Sequence, residues 1–344
     1  MQLPGRRPTP IVAGSQLHSR CPGRICLGGE HLDWLSGHSL LSAVSLRLTA
    51  TVRAAPRQGE PRLTATSAQY PGTRLEVTPG NLGRYDGGCL DYLHAAVVVL
   101  MRRTGVPLPS ADLFIDSGIP TSAGLSSSAA VTLASLGVLA GFFRLRLSHA
   151  ELCQMAYEAE AGELKTGAGE MDFHICASGG TIYLDCSQMP PRSVAMSRFP
   201  AGTAVVIADS LARHSTKATI ADIRSRLVRR DSRTLLYFEM TSRAVGEMFD
   251  LMVRDPANVR GLGRLIFECH MYISAYLGVS TPKIDACVQA SMDHGAYGAK
   301  LTGAGHGGSM FALVHRSRVA DVVVALRQLQ VGIFVTEIDN VGIV

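Results

Sequence analysis

Lysine is nearly missing from this 344-residue chain: four of its 33 basic side chains are lysine, leaving 29 arginines. There is no dense basic run. The strongest clusters, Arg6-Arg7 and Arg224 to Arg233, are broken up by acidic and apolar residues. At a formal net charge of +5, this argues against nucleic acid as a partner, because such partners call for a basic stripe or patch. A mild positive field suits a small phosphorylated ligand better. The eight cysteines include no C-x-x-C pair, which removes zinc-finger and thioredoxin-type motifs. Reduced thiols in the cytoplasm are the expectation. The opening residues "MQLPGRRPTPIVAG" lack the apolar core of a secretory signal.

Long apolar runs are also absent. In the uncharged stretch 119–143 the solidly apolar part runs only from Ala129 to Phe143, interrupted by Thr132, Ser135, Gly137 and Gly141, and Pro120 and Gly124 precede it. A bilayer span takes about 20 apolar residues, so this segment reads as a buried helix entered from a loop, and no membrane partner is expected. The run "AAVVVLM" (95–101) is shorter still. No Gly-Lys-Ser/Thr follows a glycine run, which excludes a Walker loop.

What is present is a globular composition, 47% hydrophobic and 18% charged, on a chain long enough for two domains. Alternation in "SLRLTATVRA" and "TRLEVTP" predicts strands between 40 and 78. Helices are expected over 89–104, 125–143 and from 148 onward, where Ser148 and Glu151 form a capping-box pattern. A strand is expected at 111–117 and a hairpin at 174–186, turning at Gly179-Gly180. The proline-bearing stretch 188–200 reads as a linker. Beyond it come a strand (203–208), helical patterns between 216 and 293, a strand (309–314), a helix (316–329) and a strand (332–338). The fold class is α+β, in two domains, 1–198 and 199–344.

Three motifs carry chemistry. In "PTSAGLSSSAA" (120–130), a glycine lets backbone approach a ligand and serines stand where a helix begins. Free N–H groups and the positive end of the helix dipole favour phosphate there, and Ser127 or Ser128 could offer magnesium a hard oxygen. Taken alone it could be an ordinary helix cap at Ser126. In "LTGAGHGGSMFALV" (301–314), Gly303, Gly305 and Gly308 satisfy G-x-G-x-x-G, but a strand rather than a helix follows, which argues against a dinucleotide site. A glycine-rich connection approaching an active site, or simply a tight hairpin turn, fits better. In "CPGRICLGGEHLDWLSGH" (21–38), Glu30, His31 and Asp33 follow a glycine pair. Carboxylates accept hydrogen bonds from hydroxyls, so the cluster suits a neutral, hydroxyl-rich ligand; a solvated loop is the plainer reading.

Taken together and in this order, the motifs resemble those of the GHMP kinase superfamily, which includes galactokinase, homoserine kinase, mevalonate kinase and phosphomevalonate kinase. The resemblance touches 21–38, 118–130, 160–186, 203–215 and 298–311, and "PGRICLGGEHLDW" is most similar to a galactokinase signature. It implies a two-domain GHMP kinase fold with the active site in the cleft between domains, ATP as co-substrate and Mg2+ as cofactor. It implies an ATP-binding serine loop at Gly124, Leu125, Ser126, Ser127, Ser128 and Ala129, and a glycine-rich loop at Gly303, Gly305, Gly307 and Gly308. Glu30, His31 and Asp33 would hold sugar hydroxyls. Asp172, in "GAGEMDFHICASGG", would be the catalytic aspartate, touching substrate too, with Arg24 beside the transferring phosphate. Glu160 and Ser128 would hold the metal. Arg213, His214 and Ser215 match a further galactokinase segment, and "NLGRYDGG" (81–88) could approach the adenine.

The resemblance therefore implies phosphorylation of the anomeric hydroxyl of a free sugar, by a monomer or homodimer. Four departures blur which sugar. Trp34 stands where tyrosine is usual, "SLLSAV" lacks the family proline, Phe173 replaces a glutamine, and Ala221 stands where a galactose-contacting tyrosine is expected. Heptoses, octoses, arabinose and uronic acids all remain open. The alternatives are a mevalonate- or homoserine-type kinase, where mevalonate's carboxylate should call for Lys or Arg in the pocket, and a non-catalytic sugar and ATP sensor on the same fold.

Overall fold

The computed structural model describes residues 10, 12, 14–56, 59–213 and 215–344. Its spine is a 17-residue strand, β2 (His38–Ala54). β2 pairs antiparallel with β1 (Gln16–Gly28) along most of its length, and on its other edge with β5 (Ala111–Ser117) through 48–54 and with β6 (Thr181–Asp185) through 38–42. The sheet extends to β3 (Leu63–Ser67), parallel to β5, then to β4 (Arg74–Val77) on one side and β7 (Arg192–Ala195) on the other. Strand burial alternates in β3 and β5, as a sheet with one face in the core requires.

Helix α1 (Asp91–Thr104) and helix α2 (Ser127–Phe142) pack against each other, and α2 lies on β1 and β2. The helix α2 is buried on nearly every side, which is what a helix apolar all round requires. α3 (His149–Tyr157) begins at the Ser148–Glu151 capping box, runs into a π-helical turn (Glu158–Glu163) and is followed by α4 (Met171–Ser178).

The second half forms an antiparallel four-stranded sheet, in the order β11 (Gly332–Thr336), β8 (Thr203–Asp209), β10 (Ser309–His315), β9 (Gly298–Thr302). Its helices are α5 (Thr216–Val228), α6 (Ser232–Arg254), α7 (Val259–Tyr272), α8 (Pro282–Asp293) and α9 (Val319–Arg327). The core of the first sheet continues into this half, taking in Val205, Ile207, Leu262, Ile266 and Phe311. The chain's last residues return to the first sheet. Ile338 bridges Val44, Arg47 donates to Asp339 Oδ2 at 2.7 Å, and Arg20 and Val344 exchange backbone hydrogen bonds. Among the described residues no helix is long and apolar enough to cross a membrane.

Several expected elements differ. Residues 174–186 are not a hairpin: 171–178 is helical and Gly179, at φ 71°, ends that helix before β6. The expected linker at 188–200 contains β7, paired with β6. β1 and β9 are strands that the periodicity did not predict. The helix expected over 125–143 spans 127–142, and that expected over 316–329 is a 3-10 turn (Arg316–Arg318) followed by α9.

Close packing of α7 on β9 depends on two glycines. A Cβ at Gly263 would stand 2.1 Å from the Tyr297 carbonyl oxygen, and one at Gly298 would stand 2.0 Å from that of Gly263. Neither contact can relax by a side-chain rotation, so Gly263→Ala should destabilise by about 2–4 kcal/mol. Chemical denaturation should show a lower midpoint at unchanged slope.

Candidate active site

A cavity of about 610 Å³ lies between the serine loop, the end of β1 and the starts of α4 and α5. Its floor is set by two backbones in contact. Gly124 (φ 74°) and Gly303 (φ 92°) both adopt left-handed geometry. A Cβ on Gly124 would meet the Thr302 carbonyl oxygen at 2.4 Å, and one on Gly303 would meet the Gly124 Cα at 2.7 Å. Only glycine tolerates both demands. The serine loop and the glycine-rich loop are thereby held edge to edge. Ser126 is the N-cap of α2, itself left-handed at φ 63°, and its buried hydroxyl has no hydrogen-bond partner. Ser126, Ser127, Ser128 and Ala129 line the cavity, so the free N–H groups at the helix start face the space where an anion is favoured.

Arg24, buried on β1, joins this loop to α4. Its Nε donates to Asp172 Oδ1 at 2.7 Å and its Nη2 to Asp172 Oδ2 at 2.9 Å, while Nη1 donates to the Gly124 carbonyl. Burial works against the guanidinium charge, and the Asp172 carboxylate more than offsets it, so the group is held charged. The bidentate fork fixes the orientation of Asp172. Asp172 stays partly accessible in the first turn of α4.

Glu30, His31 and Asp33 line the same cavity. His31, in left-handed geometry at φ 65°, is pushed down to about 4, chiefly by burial, and is therefore neutral near pH 7. Its Nε2 lies 3.2 Å from the Ala304 carbonyl oxygen, which can only accept, so Nε2 carries the proton and Nδ1 is left as an acceptor. Asp33 is seated against Gly169, where a Cβ would fall 1.8 Å from Oδ2, and it accepts from Met171 N at 3.3 Å. Burial, with the Asp172 charge second, pushes its carboxyl up from 3.8 to about 6. Glu30 is different. One of its oxygens is in a buried ion pair with Lys300, so only the other remains for a ligand.

Glu160 is buried in the π-helical turn and accepts from Thr132 Oγ1 at 3.0 Å and from the Ser128 hydroxyl. Burial pushes it up to about 8; the nearby Asp172 charge adds to the rise, and the two hydroxyls offset it only in part. A carboxylate beside hydroxyls, with no cation to balance it, fits a hard divalent ion. No group of three or more His, Cys, Asp or Glu side chains converges among the described residues, so such an ion would take most of its ligands from nucleotide and water.

Other expected residues fall outside the cavity. Leu125 is buried behind the serine loop, where its carbonyl accepts from Arg24 N. Gly305 and Gly307 shape the glycine-rich loop against Val279 and Ala212 rather than lining the space, and Gly308 lies in the same loop. Arg213 is engaged by Asp209 at 2.7 Å, His214 lies outside the described residues, and Ser215 does line the cavity. Ile220, one residue before Ala221, is the one that faces it. In the 81–88 stretch, Gly87 and Gly88 line the cavity, as do Tyr70 and Gln69. Thr132, Lys217 and Lys300 were missed. Thr132 stands one helical turn after Ser128, a spacing that could have found it; no local signal points to Lys300.

Comparison with known proteins bears on the same segments. Residues 12–54 match the galactokinase galactose-binding signature, 91–180 match the GHMP kinases N terminal domain, and 249–331 match the GHMP kinases C terminal domain. The mevalonate kinase of Pyrococcus abyssi is 30% identical over 306 residues, covering 85% of this chain and 87% of that protein. The galactokinase of Pyrococcus furiosus is 26% identical over 336 residues, covering 90% and 92%. The crystal structure of Lactococcus lactis galactokinase complexed with galactose superposes with a TM-score of 0.82 at 21% identity, covering 96% and 95% of the two chains.

The raised Asp33 carboxyl makes a signed prediction. The folded state binds the proton more tightly than the unfolded chain, so the stability this group contributes is present below about pH 4 and lost as pH rises through about 6. Asp33→Asn keeps an acceptor for Met171 N. It should raise the melting temperature of ligand-free protein at pH 7.5, by up to about 3 kcal/mol in stability, and have little effect at pH 4. Acceptor binding should weaken in the same variant. Equal melting shifts at both pH values would contradict the assignment.

Proposed function

Given that the chain belongs to the GHMP kinase family, we propose that it transfers the γ-phosphoryl group of ATP to the anomeric hydroxyl of a free sugar, giving a sugar 1-phosphate. The observation that carries this reading is that Glu30, His31 and Asp33 line one cavity with the Arg24–Asp172 pair, and that all of these but Asp172 lie within the segment that matches the galactose-binding signature. The three side chains offer acceptors for several hydroxyls, and Asp172 can accept the proton of the hydroxyl that attacks. Arg24 spends three N–H groups on Asp172 and Gly124, and its remaining donors can face charge on the transferred group. The serine loop presents backbone N–H groups to the phosphates. Magnesium, held by Ser128 and Glu160, would supply neutralisation of phosphate charge. Positioning and electrostatics of this kind are what phosphoryl transfer asks of a protein.

An acidic acceptor is the second reading, and Lys217 favours it. This exposed side chain lines the cavity from the first turn of α5, and α5 stands on the Asp33 side, with Ile220 and Arg224 against Gly167. A mevalonate kinase among the relatives points the same way.

The test is ADP release from Mg-ATP across free sugars from pentoses to octoses, uronic acids, mevalonate and homoserine. A neutral sugar should be turned over, and Asp172→Asn should lower kcat by about 10²–10⁴-fold. Exclusive turnover of mevalonate or homoserine would overturn the sugar reading. Binding of a sugar without turnover would favour a sensor. Lys217→Met separates the remaining cases: it should raise KM about tenfold for an anionic acceptor and leave a neutral sugar's KM within about twofold.

A further inference from the structure

Lys300 is the most deeply buried charge among the described residues, and the proposed reaction gives it no role. It lies on β9, fully shielded from water, and reaches Glu30 at the end of β1. All three of its N–H donors are spent. One goes to a Glu30 oxygen, one to the Cys26 carbonyl at 3.1 Å and one to the Leu301 carbonyl at 2.7 Å. With none left, Lys300 cannot touch substrate or phosphate. Two further ties hold the Glu30 backbone: Tyr237 of α6 donates to its carbonyl at 2.9 Å, and Gly29, at φ 101°, packs where a Cβ would lie 2.5 Å from the His38 carbonyl oxygen. The second Glu30 oxygen is buried and has no hydrogen-bond partner, on a residue that lines the cavity. The Cys26 thiol beside it is kept protonated by burial and by Glu30 itself, and a thiol is a weak donor.

We propose that Lys300 is a positioning and specificity residue: it occupies one oxygen of Glu30 so that a single acceptor atom faces the cavity, and Glu30 thereby reads one hydroxyl of the substrate. The inference rests on the acceptor being a hydroxyl compound held at this wall. A free carboxylate could take two neighbouring hydroxyls at once. A carboxylate with one oxygen tied down takes one, in one direction. Without the ammonium nothing ties that oxygen down, so either oxygen can turn to the cavity and the group no longer takes one hydroxyl in one direction.

The test uses the full chain and whichever acceptor of the panel the unaltered protein phosphorylates, with the analogues of that acceptor that each lack one hydroxyl. One analogue should lose about tenfold or more in kcat/KM with the unaltered protein. In Lys300→Met that loss should collapse to about twofold, with the parent acceptor's KM raised about tenfold and kcat changed far less. Lys300→Met alone leaves a buried carboxylate without its partner, so Glu30→Gln/Lys300→Met, which removes both charges, is measured beside it. The double variant should fold and should show the same collapse. If either folded variant loses activity equally on the parent and every analogue, Lys300 is structural only and the proposal falls. Should mevalonate prove the acceptor, the sugar reading fails while this comparison still runs on mevalonate and its analogues. No turnover of anything by the unaltered protein would overturn both.

Discussion

The guanidinium of Arg24 ties together the three segments the site is built from. One side of its fork clamps Asp172 on α4, the other end holds the Gly124 carbonyl in the serine loop, and its own backbone sits on β1. A guanidinium buried this deeply repays its dehydration only when the geometry with its partner is good and its remaining donors are satisfied. That requirement fixes where the serine loop can run. Gly124 must then lie against Gly303, since a side chain on either would collide with backbone. The serine loop, the glycine-rich loop and Asp172 are thus placed by one ion pair and one glycine–glycine contact, on rigid elements. Loss of Arg24 would unseat Asp172 and the serine loop together.

Four carboxylates line this cavity, and they divide into two kinds. Asp172 and Glu30 each have a basic partner, Arg24 and Lys300. Asp33 and Glu160 have none; burial drives their carboxyls up to about 6 and about 8. The paired two are already compensated and held in fixed orientations. The unpaired two carry an electrostatic cost in the ligand-free fold that a hydroxyl-rich acceptor and a cation would relieve. A site that binds ligands through such groups trades stability for function, and its ligands should stabilise it in proportion to what they relieve.

Much of this was legible in the sequence, and what was not has physical causes. Local patterns carried well: the capping box at Ser148, the apolar α2 and the alternation of β2 were all readable. The glycine motifs were readable because only glycine meets the demands at Gly124 and Gly303. β1 was not, since its pairing with β2 shifts register at Pro22/Gly23 and Cys26/Gly28, which breaks any alternation. The helix α4 is short and buried on several sides, so it shows no 3.6-residue period, and its Gly-Gly stop mimics a hairpin turn. Lys300 and Glu30 are 270 positions apart, and nothing local to either names the other.

That long-range pair also changes the argument about substrate charge. On sequence alone, Glu30 and Asp33 are two negative charges that would repel an acidic acceptor. In the folded protein Lys300 already balances Glu30, and Arg24 balances Asp172, so repulsion at the acceptor wall falls to Asp33. Its carboxyl sits near 6, so the wall is anionic at neutral pH and loses that charge in mild acid. Lys217, exposed in the first turn of α5, lines the same cavity with the opposite charge. Preference for a neutral over an acidic acceptor is therefore a contest between one carboxylate and one ammonium. Falling pH through about 6 removes the Asp33 charge, so the repulsion of an acidic acceptor weakens in mild acid.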